Sequence, residues 1–162
     1  MAGYGTDDAF AEWLTANGLT VSETLTPAIL RQRGSDYVDG LYGPRFTGSP
    51  TGGIDQERAW PRTGATAYRA PIADDMIPLK VIHASYFAAV QEATNPGSLS
   101  IKVTASGAVK RKKLEGIEKE FFEGSGDVVA DATIRLSSVD GLLAPFLTRE
   151  PAGAGLGLWA VG

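Results

Sequence analysis

The chain has no cysteine and a single histidine, His83. Without thiols there is no disulfide, no thiolate nucleophile, no iron–sulfur cluster and no cysteine-held zinc. One imidazole also excludes a site built from several histidines, and no cofactor is expected. Positive charge is scarce too: 15 lysines and arginines stand against 19 aspartates and glutamates, a net charge of −4. A dedicated duplex-DNA binder ordinarily carries the opposite sign. No stretch reaches the ~18 apolar residues of a membrane helix, so no membrane partner is expected. Met1-Ala2-Gly3-Tyr4-Gly5 lacks a basic region followed by an apolar run, so no signal peptide is expected and synthesis in the cytoplasm is.

What is present is enough for one packed domain. The 162 residues are 43% hydrophobic and 21% charged, which argues against global disorder. A first helix is expected over Asp7 to Asn17, capped by Asp7 or Asp8, with Phe10, Trp13 and Leu14 on one face. A second is expected from Thr26 to Tyr42, with Thr26 as N-cap, Pro27 at the first helical position and Gly34 weakening its middle. Ile77-Pro78 opens a third, in which Ile82, Tyr86, Ala89, Val90 and Ala93 keep the helical period until Asn95-Pro96-Gly97 stops it. A last periodic element runs from about Ser138 to Leu147, with Ser137 and Asp140 placed to cap it.

Between the second and third helices, residues 43–77 read as one long aperiodic loop rich in glycine and proline. Trp60 and Arg62, within Trp60-Pro61-Arg62-Thr63-Gly64, are its expected anchor. After Gly97 the period becomes two, with Leu99, Ile101 and Val103 alternating with polar residues. A β-hairpin is expected over 108–122 around Glu115-Gly116. Residues 127–136 fit a strand or a helix equally. Residues 149–162 form a glycine-spaced tail that carries Leu156, Leu158, Trp159 and Val161. The fold class is thus mainly α: a small helical bundle over 1–148 with a β-hairpin, followed by an extended C-terminal tail.

Catalytic signals are weak. His83 has no serine or carboxylate at a triad spacing and reads as a partly buried helix residue. Asp7-Asp8 and Asp74-Asp75 precede helices, where capping accounts for them. The glycine-rich stretches lack the lysine and helix of a phosphate loop. No enzyme is expected. The basic run Lys110-Arg111-Lys112-Lys113 has two readings. In the hairpin, Lys113 faces Glu118 and Arg111 faces Glu120, and each opposed pair contributes ~0.2–1 kcal/mol. Alternatively Lys110, Lys112 and Lys119, on the other face, grip phosphate. The tail also has two readings. It folds back on its own domain, or it adds to a partner as a strand anchored by Trp159.

Five blocks in fixed order carry a family likeness. They are 36–43, Ala59-Trp60-Pro61-Arg62-Thr63-Gly64, Ile77-Pro78, Val109-Lys110-Arg111-Lys112-Lys113-Leu114-Glu115-Gly116-Ile117-Glu118, and 139–147. In this the chain resembles tailed-phage and prophage proteins labelled DnaT-like single-stranded-DNA-binding proteins, and it also resembles the head–tail connector adaptors of long-tailed phages. The adaptor resemblance implies a structural virion protein at the head–tail interface. It would form a ring, dodecameric by the same resemblance, and join the portal protein to a head-completion or tail-terminator protein. Packaged double-stranded DNA would pass through its lumen without sequence readout. The tail residues Leu156, Leu158, Trp159 and Val161 would dock on the portal. Lys110, Arg111, Lys113, Glu118 and Glu120 would line a subunit interface. The other label implies a single-stranded-DNA-binding replication protein that uses the Lys110–Lys113 hairpin. Net acidity favours the adaptor at this stage, because a single-strand binder wants a positive groove with interleaved aromatics.

Overall fold

A computed structural model describes residues 2–22, 24–99 and 135–148. The expected 108–122 hairpin and 149–162 tail lie outside the described residues, as do residues 127–134 of the segment left open between strand and helix. About half of the described residues are helical, in α1 (Asp7–Ala16), α2 (Pro27–Tyr42), α3 (Leu79–Thr94) and α4 (Ser137–Leu143), with short 3₁₀ turns at Gly43–Arg45, Gly53–Asp55 and Ala144–Phe146. "Mainly α" therefore holds only for the core. Two small antiparallel pairs sit where the sequence promised an unstructured loop: β1 (Ser49–Pro50) with β2 (Arg62–Thr63), and β3 (Thr66–Ala67) with β4 (Ala70–Pro71).

Local chemistry explains most of the helix ends. Thr26 caps α2 by accepting from the Ile29 N–H, and Pro27 opens the helix where its missing N–H is harmless. For α1 the cap is Thr6, whose hydroxyl accepts from the Ala9 N–H over 3.1 Å. The two aspartates expected to cap it lie instead in the first turn, beside the positive end of the helix dipole. The expected cap of α4 also differs. Leu136 occupies the N-cap position without a side-chain bond, and Asp140 accepts from the Tyr42 hydroxyl.

The most extensive helix contact is α2 on α3, with α1 against α2 and α4 against α3. Gly34 is central to it. A Cβ at this position would lie 2.1 Å from the Ser85 carbonyl oxygen and 2.8 Å from the Ala89 nitrogen. The glycine that weakens α2 as an isolated helix is what lets the two backbones meet. Two apolar clusters result. One gathers Phe10, Trp13, Leu30, Tyr86 and Ala89 around α1. The larger gathers Val38, Tyr42, Phe46, Trp60, Val81, Val139, Leu143 and Phe146. The 43–77 segment curls onto this second cluster. Thr47 N–H donates to the Phe146 carbonyl and Thr148 N–H to the Arg45 carbonyl, so residues 45–47 and 146–148 are laced together.

Candidate functional site

Of the residues expected to meet a partner or anchor the long loop, the structure describes Trp60 and Arg62. Lys110, Arg111, Lys113, Glu118, Glu120, Leu156, Leu158, Trp159 and Val161 all lie outside the described residues. Trp60 is 1% exposed and packs edge-on against Phe46 and Phe146, at centroid distances of 5.5 and 5.9 Å. The Trp60–Pro61 peptide bond is cis. Arg62 is 6% exposed, and its guanidinium donates to the carbonyls of Thr47 (2.9 Å), Ala59 (3.0 Å) and Gly48 (2.7 Å). Burial pulls its pKa down, and the negative charge of Asp39 only partly opposes this. These contacts close the segment on itself.

Three other arginines of the body are equally committed. The Arg31 Nε donates to Asp7, and its Nη1 reaches the carbonyls of Gly3, Tyr4 and Gly5, strapping the N-terminal residues to α2. Arg33 pairs with the buried Glu92 at 2.7 Å. Arg58 pairs with Asp36 at 2.6 Å and Asp39 at 3.3 Å. Asp39 also accepts from the Tyr4 hydroxyl, which in turn accepts from the Trp60 N–H. Burial pushes the Asp39 carboxyl above its ordinary pKa, opposed by the Tyr4 and Arg58 hydrogen bonds. The blocks around Asp36 and Trp60, which carried the family likeness, are thus internal fastenings of this fold. His83 is half-buried, with its ring 6.0 Å from Trp13 and 6.1 Å from Tyr86, and burial lowers its pKa.

A different place combines exposure with chemistry. Ala67 pairs with Ala70, so Tyr68 and Arg69 form a two-residue hairpin loop between β3 and β4. Both have positive φ, 52° and 69°. Such loops ordinarily use Asn-Gly, because side chains resist this region. Tyr68 is 71% exposed. The Lys80 ammonium donates to its hydroxyl over 2.7 Å and lies 5.1 Å from its ring centroid. Beside the tip runs an open groove of about 520 Å³, lined by Tyr68, Arg69, Arg45, Pro145, Leu147 and Thr148 among others, and among the described residues of its lining there is no carboxylate. A second groove of about 380 Å³ is lined by Arg33, Asp36, Tyr37, Glu92, Gly97 and Leu99, and its two carboxylates offset its arginine.

Sequence reasoning passed over Tyr68 and Arg69 because Ala67-Tyr68-Arg69-Ala70 contains no glycine, asparagine or aspartate to signal a turn. The available signal was an adjacent aromatic and cation in a loop. Among the described residues no group of three or more histidines, aspartates and glutamates could hold a metal ion. Among them, too, no helix is long and apolar enough to cross a membrane.

Residues 3–161 match the sequence model of a family described as "Putative DnaT-like ssDNA binding protein". No curated protein matches the chain, and no solved structure does. The family match overturns the expected head–tail adaptor. The family's description names single-stranded DNA, and gives no support to a portal protein, a head-completion or tail-terminator protein, a dodecameric self-assembled ring or duplex DNA in a lumen as partners. The likeness misled because its best-defined blocks specify packing: Trp60, Arg62, Asp36 and Asp39 meet other parts of the same chain and carry no information about an outside partner.

Proposed function

We propose that this chain, which belongs to the DnaT-like ssDNA binding protein family over nearly its whole length, binds single-stranded DNA and catalyses no reaction. The observation that carries the reading is the family match over residues 3–161. The charge pattern along the sequence is compatible with it despite the net charge of −4. Six cations and only two glutamates lie between Lys102 and Lys119. A single strand needs a local positive track and not a basic whole, since attraction to phosphate acts within about a Debye length, ~8–10 Å. In this reading the 108–122 hairpin presents Lys110, Lys112 and Lys119 on one face, and the protein acts in the cytoplasm.

The test is binding of a fluorescent thymidine homopolymer at graded salt, with a matched duplex as comparison. The expected result is tighter binding of the single strand, with affinity falling as salt rises by a slope of about −0.7 per phosphate contact. Charge reversal at Lys110, Lys112 and Lys119 should weaken it. No retention of the oligonucleotide at low salt would sink the proposal.

A further inference from the structure

We propose that the β3–β4 hairpin tip is a stacking site for an unpaired DNA base, with Tyr68 as the platform and Arg69 and Lys80 contacting the flanking phosphates. This rests on the single-stranded-DNA reading and gives it an address on the described body.

Three independent observations converge there. The first is exposure. Tyr68 is the one aromatic among the exposed large apolar side chains of the described residues, while Phe10, Trp13, Tyr42, Phe46, Trp60 and Tyr86 are buried. A ring open on its face offers what every base can stack on, without sequence preference. The second is backbone conformation. Two large side chains with φ of 52° and 69° occupy a loop where Asn-Gly would be less strained. Fold stability does not account for that choice. Strain retained at an exposed position that contributes nothing to the core is the pattern of a residue kept for contact with something else. The third is charge. Arg31, Arg33 and Arg58 are bound to carboxylates and Arg62 to carbonyls. Among the described residues, Arg69 and Lys80 pair with no carboxylate.

The surroundings suit the same ligand. The groove of about 520 Å³ beside Tyr68 falls within the size range of small-ligand sites. Its apolar lining from Pro145 and Leu147 can receive the edge of a base, and its described residues bring no carboxylate against a phosphate. The Lys80 ammonium, held on the Tyr68 hydroxyl, fixes the ring and brings positive charge to it. The platform is therefore arranged before any ligand arrives.

The experiment compares the unaltered full chain with three variants, using the thymidine homopolymer at graded salt. Tyr68→Asn combined with Arg69→Gly supplies the turn residues that this backbone prefers. It should raise the melting temperature and weaken binding by roughly 10- to 100-fold. Tyr68→Trp should keep binding within about threefold, because a larger ring still stacks. Lys80→Gln should reduce the salt slope by about 0.7. A direct readout is ultraviolet cross-linking of a bromouridine-substituted single strand to the unaltered chain, followed by peptide mapping, with attachment expected at Tyr68. If the unaltered chain binds with the expected salt slope but the double variant binds equally well and the cross-link maps elsewhere, the hairpin-tip site is wrong while the functional reading survives. If the unaltered chain binds no single strand, both fall.

Discussion

The Tyr42 hydroxyl donates to the Asp140 carboxylate over 2.6 Å, joining α2 to α4 across 98 positions of the chain. Tyr42 is fully buried and Asp140 half-buried, so the bond is largely shielded from water. Burial, together with the neighbouring carboxylate, pushes the phenol pKa well up, which keeps it a donor throughout the ordinary pH range. Replacing Tyr42 by Phe keeps the ring and removes the donor. The expected cost is about 1–2 kcal/mol, the usual figure for a charge-assisted bond with a partly solvated acceptor. It should show as a lower denaturation midpoint with an unchanged slope.

Gly34→Ala tests the α2–α3 crossing. By helix propensity alone the change should stabilise α2 by roughly 1 kcal/mol. Its methyl group would instead meet the Ser85 carbonyl at 2.1 Å, and that oxygen is backbone, so no rotamer change relieves the clash. The helices must separate, and the expected net loss is on the order of 2–3 kcal/mol. A melting temperature equal to or above that of the unaltered chain would refute the close-crossing account.

Arg62 holds the 43–77 segment by donating to the backbone carbonyls of residues 46–48 and of Ala59, tying two separate stretches of it together. Lysine carries the charge but cannot divide its donors over that fork. Arg62→Lys should therefore cost about 3 kcal/mol and open the segment to proteolysis between residues 43 and 77, while α1–α3 retain their helical signal. Resistance to protease equal to that of the unaltered chain is the outcome against it.

His83 gives a pH prediction free of overlap, since no other imidazole is present. Burial lowers its pKa in the folded state below the ordinary 6.5. As pH falls, the unfolded chain takes up this proton first, so stability is lost below about pH 6.5 and on through the folded value. The single imidazole resonance should titrate below 6.5, and His83→Gln should flatten the stability profile between about pH 7 and pH 5. A resonance titrating at or above 6.5 would contradict the burial argument.

The helices were legible in the residue order because their signals are local, although the caps of α1 and α4 were not. Thr26-Pro27 begins α2 and Asn95-Pro96-Gly97 ends α3 through conformational preferences of the residues themselves, and the 3.6-residue period marks α3 as a helix, although its buried face runs through Val81, Ala84, Ser85, Ala88 and Glu92 as well as Tyr86 and Ala89, with Ile82 at its edge. The tertiary structure alone decided the meaning of Gly34, Asp140 and Arg62, whose partners lie 51, 98 and 14 positions away and leave no periodic trace. The candidate site was the least legible part. Lys110–Lys113 is visible as a run, but Tyr68 and Lys80 are 12 positions apart and meet only because the loop between β3 and β4 reaches the first turn of α3. Whether an aromatic ring ends in the core or on the surface depends on what packs around it. Trp60 and Tyr68 lie in one glycine-rich segment, and only the three-dimensional arrangement buries the first and exposes the second.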